Sequence, residues 1–221
     1  NAEGLLIRSR TRIDHQLLSQ ADDLKIIITA TSGFDHIDLN LCQQKKITVM
    51  FTPDAQVPSV CELTFALLLN LFRRLTEMKE HLRKGHWKDQ LPWGRELYGL
   101  NLGIIGLGRI GSRVAQVAQT FGMKVAAYDP YQSEEAFAQL QVERLGLSEI
   151  FMSADVLSLH VPLTHDTRHL INHQTLSIIN PEAVIVNTSR GAIINEMAVI
   201  EALENKTLSG LALDVFEKEP L

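Results

Sequence analysis

Three glycines at a fixed spacing, Gly106-Leu107-Gly108-Arg109-Ile110-Gly111, are the first residues whose types imply chemistry. One glycine lets a strand turn sharply, a second lets backbone N–H groups come up to a pyrophosphate, and a third lets the following helix pack against the sheet. Tight packing alone also produces such a loop, so a second feature must separate the two readings. Asp129 supplies it: 18 residues after Gly111, at the end of the next strand, a carboxylate accepts hydrogen bonds from ribose hydroxyls. Together they predict a dinucleotide site. A carboxylate at 129 repels a 2′-phosphate and no arginine immediately follows it, so NAD is expected over NADP.

His165, His169 and His173 recur every four residues, which on a helix would put three metal ligands on one face. The surrounding sequence reads instead as a solvated loop running into a helix, and no metal is expected. Cys42 and Cys61 make no disulfide framework, and Cys61 lies in an apolar helical stretch where a buried free thiol is the expectation. That cysteine usage suits a reducing, cytoplasmic compartment.

The elements that would position these residues follow from hydrophobic periodicity. Apolar runs at 5–7, 24–29 and 47–51 alternate with polar helical stretches, giving strand, helix, strand, helix, strand. After Pro53, taken as the domain boundary, Ser59-Val60-Cys61-Glu62 has capping-box spacing and opens a helix expected to run to about Lys84. Because residues 63–75 are apolar nearly all round, that helix is expected to be buried between layers or subunits and to connect two domains. A second series begins near Leu100, with strands expected at 102–107, 124–129, 155–161, 183–188 and 210–216 and helices between them. Such alternation predicts an α/β fold with a parallel, doubly wound sheet. The helix after the glycine loop is expected to end near Phe121, with Gly122 just beyond it.

Bulk composition narrows the function classes. The chain has 221 residues, 45% of them hydrophobic, enough for one large or two modest domains. A net charge of −5 without a basic cluster argues against nucleic acid as a partner. The longest apolar run, residues 63–69, stops at Asn70, well short of the roughly 20 residues that cross a bilayer. The opening residues lack a signal-peptide pattern, although Asn1 is not an initiator methionine and leaves upstream residues open.

Longer stretches carry a family resemblance. Asp155-Val156-Leu157-Ser158-Leu159-His160-Val161-Pro162-Leu163-Thr164, Asn187-Thr188-Ser189-Arg190-Gly191 and Leu213-Asp214-Val215-Phe216-Glu217-Lys218-Glu219-Pro220 resemble the D-isomer-specific 2-hydroxyacid dehydrogenases. Upstream, Thr31-Ser32-Gly33-Phe34-Asp35-His36-Ile37-Asp38 and the segment from Ser59 to Glu62 resemble that family's substrate-loop and hinge motifs, in the usual order.

The resemblance implies a Rossmann-type NAD-binding domain over residues 53–221, interdomain helix included, and an incomplete flavodoxin-like substrate domain over residues 1–52. It implies hydride transfer between nicotinamide and C2 of a D-2-hydroxyacid. Arg190 would be the catalytic arginine, its fork of donors gripping the substrate's carboxylate and carbonyl oxygen. Glu219, chosen over Glu217 because it precedes Pro220, would hydrogen-bond a catalytic histidine and raise its pKa. That histidine belongs to a Pro-His motif downstream and has no counterpart in residues 1–221. His160 is not its substitute: with Pro162 it would line the cofactor cleft. Ser32, Arg109, Ile110, Val161, Thr167, Thr188, Ser189 and Asp214 would contact NAD, alongside Gly106, Gly108, Gly111 and Asp129. The substrate carboxylate would sit on Arg190 and on the N–H groups of Ser32, Gly33 and Phe34.

Arg8-Ser9-Arg10-Thr11 resembles the segment of 3-phosphoglycerate dehydrogenases where a cation meets the substrate phosphate. Glyoxylate or hydroxypyruvate reduction and D-lactate oxidation stay open beside phosphoglycerate. So does an NAD-sensing role like that of the C-terminal binding proteins. A homodimer is implied, through the long helix and the 87–98 arm, with Trp87, Leu91, Trp93 and Leu97 buried by a partner. Two departures from the family pattern stand out: Gln56-Val57-Pro58 replaces a small, Asn-containing segment, and Asn195 stands where aspartate is common.

Overall fold

Alternating apolar and polar stretches become two parallel sheets in a computed structural model that describes residues 2–221, the side chain of Asp89 aside; Asn1 lies outside the described residues. The chain divides into two compact units, Asn1–Pro58 and Ser59–Leu221.

In the first unit β1 (Gly4–Ile7), β2 (Ile26–Thr29) and β3 (Thr48–Phe51) pair in that order, with Leu5, Ile27 and Val49 in one row. The connections contain α1 (His15–Leu18) and α2 (Leu39–Gln44). An aspartate starts each: Asp14 accepts the Leu17 N–H at 3.1 Å and Asp38 the Leu41 N–H at 2.9 Å, satisfying donors that a first turn leaves free. Ile7, Ile13, Leu18, Ile27 and Ile37 make up much of the core.

The second unit holds a six-stranded parallel sheet ordered β6 (Glu143–Arg144), β5 (Lys124–Tyr128), β4 (Asn101–Ile105), β7 (Val156–Leu159), β8 (Val184–Asn187), β9 (Gly210–Leu213). From β4 the chain winds outward first through β5 and β6 and then through β7, β8 and β9, so the helices of the first half cover one face and those of the second half the other. Side chains alternate accordingly. Leu102, Ile104, Val156, Val184 and Val186 face a core shared with α3 (Val57–Phe72), α5 (Arg109–Thr120) and α6 (Glu134–Leu140). Ile105, Leu157, Leu159 and Ile185 face another shared with α7 (Leu147–Ser153), α8 (His173–Leu176) and α9 (Glu196–Glu204). The edge strand β6 was not expected, because Glu143 and Arg144 are both exposed and nothing apolar marks them.

Three expectations are corrected. Ser59 does not cap the long helix: α3 starts at Val57, with Pro58 in its first turn, where a missing N–H costs nothing. Nor does the helix run on to Lys84. It ends at Phe72, Arg74 takes a left-handed conformation (φ 50°), and α4 (Leu75–Arg83) begins anew. The break has a tertiary cause, since the Arg95 N–H reaches the Phe72 carbonyl at 2.8 Å and Gly94 lies so close that a Cβ there would stand 3.0 Å from that oxygen. Leu97, expected at a partner's surface, is 4% exposed within its own chain, in the core that also holds Phe72 and Met123. Trp87, Trp93 and Tyr98 of the same arm are exposed.

Gly122 stands just past α5 at φ 73°, where glycine ends a helix without strain, as the sequence indicated. Cys42 and Cys61 are buried free thiols, and burial pushes both above the ordinary cysteine range. Among the described residues no helix is long and apolar enough to cross a membrane.

Candidate active site

Two of the three loop glycines are required by close backbone approaches. Gly106 has φ 95°, and a Cβ on it would stand 2.6 Å from the His160 carbonyl oxygen, so only glycine lets the ends of β4 and β7 approach. A Cβ on Gly111 would stand 2.0 Å from the Gly106 oxygen, which requires glycine where α5 packs on the loop. Gly108 differs: a Cβ there meets nothing within 4 Å. It is the N-cap of the 12-residue helix α5, whose first N–H groups have no partner within the helix. Open space at the positive end of a helix fits an anion such as a pyrophosphate.

Asp129 closes the same loop from β5. Its Oδ2 accepts the Leu107 N–H at 2.8 Å and its Oδ1 the Tyr131 N–H at 2.9 Å. A carboxylate offers about four lone pairs, so two remain for the hydroxyls of a ribose. These residues fit a dinucleotide.

At the end of β7, the His160 N–H donates to the Ile105 carbonyl at 2.8 Å, and its Nε2 lies 2.8 Å from the Ser158 hydroxyl. Burial pushes the imidazole pKa down to about 4, so the ring is neutral near pH 7 and unsuited to hold an acid's proton. After Val161, Thr167 shapes the loop by donating to the Pro162 carbonyl at 2.6 Å and accepting the Thr164 N–H at 2.8 Å.

The segment after β8 is organised by Asn187, which is fully buried. Its Oδ1 accepts the Ser189 N–H at 3.0 Å and the Ser189 hydroxyl at 2.7 Å, and its Nδ2 donates to the Arg190 carbonyl at 2.8 Å. The Arg190 guanidinium donates to the Ser189 carbonyl at 2.7 Å. Thr188 lies 3.2 Å from Thr64 of α3, whose own hydroxyl donates to the Val60 carbonyl at 2.8 Å; the proton between the two threonines is therefore supplied by Thr188. Neither Asn187 nor Thr64 was assigned a role from sequence. A buried asparagine at a strand end, followed by Ser and Arg, was the available signal for the first.

Gly191 brings the second half of the site to this segment. A Cβ on it would stand 1.9 Å from the Phe216 carbonyl carbon, so the Arg190 loop lies backbone to backbone against the segment that bears Glu219. The Asp214 N–H donates to the Asn187 carbonyl at 3.1 Å. Burial, with the Glu219 charge added, holds the Asp214 carboxyl above its ordinary value. Glu219 accepts the Phe216 N–H at 3.0 Å. Glu217 turns elsewhere: burial pushes its carboxyl up, but hydrogen bonds from His169 and the Glu196 N–H, with the charges of His169 and Arg168, reverse that and hold it below the usual range.

In the first unit the residues of interest also follow strand ends. Ser32 donates toward the Gln56 side-chain oxygen at 2.7 Å, with the Pro53 carbonyl at 3.2 Å, and the Gln56 amide donates to the Ala30 carbonyl at 2.8 Å. Thr31 donates to the Gly33 carbonyl at 2.6 Å. Gln56, which departs from the family pattern, thus braces the loop that carries Ser32 and Gly33. Arg8 and Arg10 are exposed just beyond β1.

The histidines at 165, 169 and 173 do not share a helix. Only His173 is helical, and they lie beside Asp166, Glu217 and Glu201 respectively. Among the described residues no group of three or more His, Cys, Asp or Glu could hold a metal ion.

Comparison with known proteins converges on one family. Residues 65–221 match the D-isomer specific 2-hydroxyacid dehydrogenase, NAD binding domain. D-3-phosphoglycerate dehydrogenase of Methanocaldococcus jannaschii is 41% identical over the whole chain, which spans only 42% of that protein. Hydroxypyruvate reductase of Thermotoga maritima is 41% identical over 98% of the chain and 70% of its own length. D-lactate dehydrogenase of Aquifex aeolicus, solved with NAD and lactic acid, shares 39% identity at a TM-score of 0.91, over 99% of this chain and 66% of that one. The chain belongs to the D-isomer-specific 2-hydroxyacid dehydrogenase family.

Proposed function

We propose that this chain is the NAD-binding half and part of the substrate half of an NAD-dependent oxidoreductase that interconverts a D-2-hydroxyacid and its 2-oxoacid. The observation that carries the reading is the backbone contact of Gly191 with Phe216, which gathers Arg190, Asp214 and Glu219 at the same sheet end as the glycine loop. In open α/β sheets, ligands bind outside the carboxyl ends of the strands, where the winding reverses. The larger unit is read as a Rossmann-type domain and the smaller as an incomplete flavodoxin-like substrate domain, with the boundary near Pro53.

When bound, NAD supplies the hydride acceptor for the hydrogen on C2 of the substrate. Gly106, Gly108, Arg109, Ile110 and Gly111 hold the pyrophosphate, and Asp129 holds the ribose and selects against a 2′-phosphate. His160, Val161, Pro162, Thr167, Thr188 and Ser189 line the cofactor cleft, and Asp214 orients the carboxamide. Arg190 grips the substrate carboxylate and carbonyl oxygen, helped by Ser32 and Gly33. Glu219 raises the pKa of the downstream histidine that moves the hydroxyl proton. Exposed Arg8 favours a phosphorylated substrate such as 3-phosphoglycerate. The high identity to a hydroxypyruvate reductase supports a second reading, reduction of that oxoacid. The exposed Trp87 and Trp93 support a homodimer, and the two free thiols a cytoplasmic setting.

Fluorescence titration of residues 1–221 with NADH and NADPH is the test of the nucleotide assignment. NADH binds more tightly than NADPH, and Asp129→Ala weakens NADH by about 10- to 100-fold, the loss of hydrogen bonds to a charged group. The full-length protein, assayed against D-2-hydroxyacids that include 3-phosphoglycerate, oxidises at least one of them. Equal binding of both nucleotides overturns the choice of NAD; binding without turnover of any substrate favours a sensor.

A further inference from the structure

His169 and Glu217 are 48 positions apart in sequence and make a contact that the reaction scheme above does not use. His169 adopts a left-handed conformation, φ 51°, and its N–H donates to the Ala192 carbonyl at 2.9 Å, just after the Arg190 loop. Its Nε2 meets Glu217 Oε1 at 2.5 Å. Glu217 then pairs twice with Glu196, the first residue of α9: the Glu196 N–H donates to Glu217 Oε2 at 3.2 Å, and the Glu217 N–H donates to Glu196 Oε1 at 2.7 Å. One histidine and two glutamates thus tie together the loop after β7, the start of α9 and the turn at 216–219.

The molecule contains its own contrast. His173 and Glu201 also pair, at 3.1 Å, but their side chains are 63 and 53% exposed against 34 and 28% for His169 and Glu217, and they join only α8 and α9. Exposed pairs of that kind contribute little. The Glu217 pair is more enclosed, is made through backbone donors as well as side chains, and lies two residues from Glu219. The groups that act on it are His169 and Arg168 on the loop after β7 and Glu196 on α9, whereas Asp214 and Glu219 of its own segment act on each other.

We propose that His169 and Glu217 are positioning residues for Glu219: by fixing the 216–219 turn against the start of α9, they set where the Glu219 carboxylate is presented to the downstream histidine. This rests on the dehydrogenase reading. Misplacing a catalytic group by about 1 Å costs on the order of 100-fold in rate, so a brace on this turn acts on turnover while leaving the nucleotide loop alone.

The test uses 2-oxoacid reduction by the full-length protein with NADH, in wild type, His169→Asn, Glu217→Gln, Glu219→Gln and Glu201→Gln. Asparagine tolerates the left-handed backbone, and glutamine keeps the shape of Glu217 without its charge. Both brace variants are expected to lower kcat about 10- to 100-fold with NADH affinity near wild type and a melting temperature lowered by no more than a few degrees. Reduction needs the histidine protonated and fails above its pKa. A displaced Glu219 raises that pKa less, so the falling limb of the kcat profile moves to lower pH. Glu201→Gln matches wild type in rate and limb. If Glu219→Gln is inactive while His169→Asn and Glu217→Gln keep wild-type kcat and an unmoved limb, the brace is overturned and the dehydrogenase reading stands. Lower kcat in the brace variants with an unmoved limb, whatever the melting temperature, means a structural role only and also overturns it. A fully active Glu219→Gln overturns both.

Discussion

The two sheets of this chain are made the same way and finished differently. In the six-stranded sheet, Val156 faces one core and Leu157 the other, and helices cover both faces. In the three-stranded sheet only one row is covered: Leu5, Ile27 and Val49 pack inward, whereas the neighbouring row Leu6, Ile28 and Met50 has Leu6 at 74% and Met50 at 51% exposure. Parallel strands are ordinarily buried on both faces. The larger unit therefore carries the apolar layers its sheet requires, and the smaller carries about half. Stability is expected to be uneven in the same sense, with the first unit opening at lower cost than the second.

The largest expected effect tests that unevenness in the two cores. Leu157→Ala and Ile27→Ala each empty a site with no solvent exposure, a change that costs about 2–5 kcal/mol. In β7 the loss lowers the main unfolding transition and NADH binding together. In β2 it exposes residues 1–58 to protease, while NADH affinity of the chain stays within about 2-fold. Loss of nucleotide binding in both variants breaks the comparison, because it means that the two units unfold as one.

A smaller effect concerns acid. The Glu217 carboxyl sits below its ordinary value, so its contribution to stability is complete above the free glutamate pKa of about 4.3 and disappears as pH falls through the lower folded value. The melting-temperature gap between wild type and Glu217→Gln is accordingly widest near neutral pH and closes below about pH 4. Circular dichroism melts across that range measure it, and a gap independent of pH removes charge from the account. The smallest effect is on the bare face: Leu6→Thr shifts stability by less than about 0.5 kcal/mol, as for other exposed positions, while light scattering shows less self-association. A loss of several kcal/mol there means that Leu6 is covered in solution.

Much of this was legible in the residues. Gly106, Gly108, Gly111 and Asp129 stood out by residue type and spacing along the chain, although the approach that requires Gly106 comes from His160 on β7 and Asp129 meets Leu107 from the next strand. The strands were located because each reads as a short, nearly continuous apolar run, which the larger sheet requires with both of its faces covered. The end of α3 was not. Residues 73–84 are as helical by propensity as those before them, and the break comes from the Arg95 N–H arriving at the Phe72 carbonyl from beyond α4. The same holds for Leu97, whose apolar side chain suits an interface as well as a core, and for β6, which pairs through backbone alone.

The sequence by itself determined the element types, the glycine loop with its acidic partner, and the family, because these depend on residue identity and short spacings. Only the tertiary structure decided that Gly191 is required by Phe216, that Asn187 holds the Arg190 loop, and that Glu217 reaches His169 and Glu196 while Glu219 does not. These are matters of which backbone donors and acceptors meet after the chain has crossed the sheet, and two glutamates separated by a single lysine carry no local mark of which way each will turn.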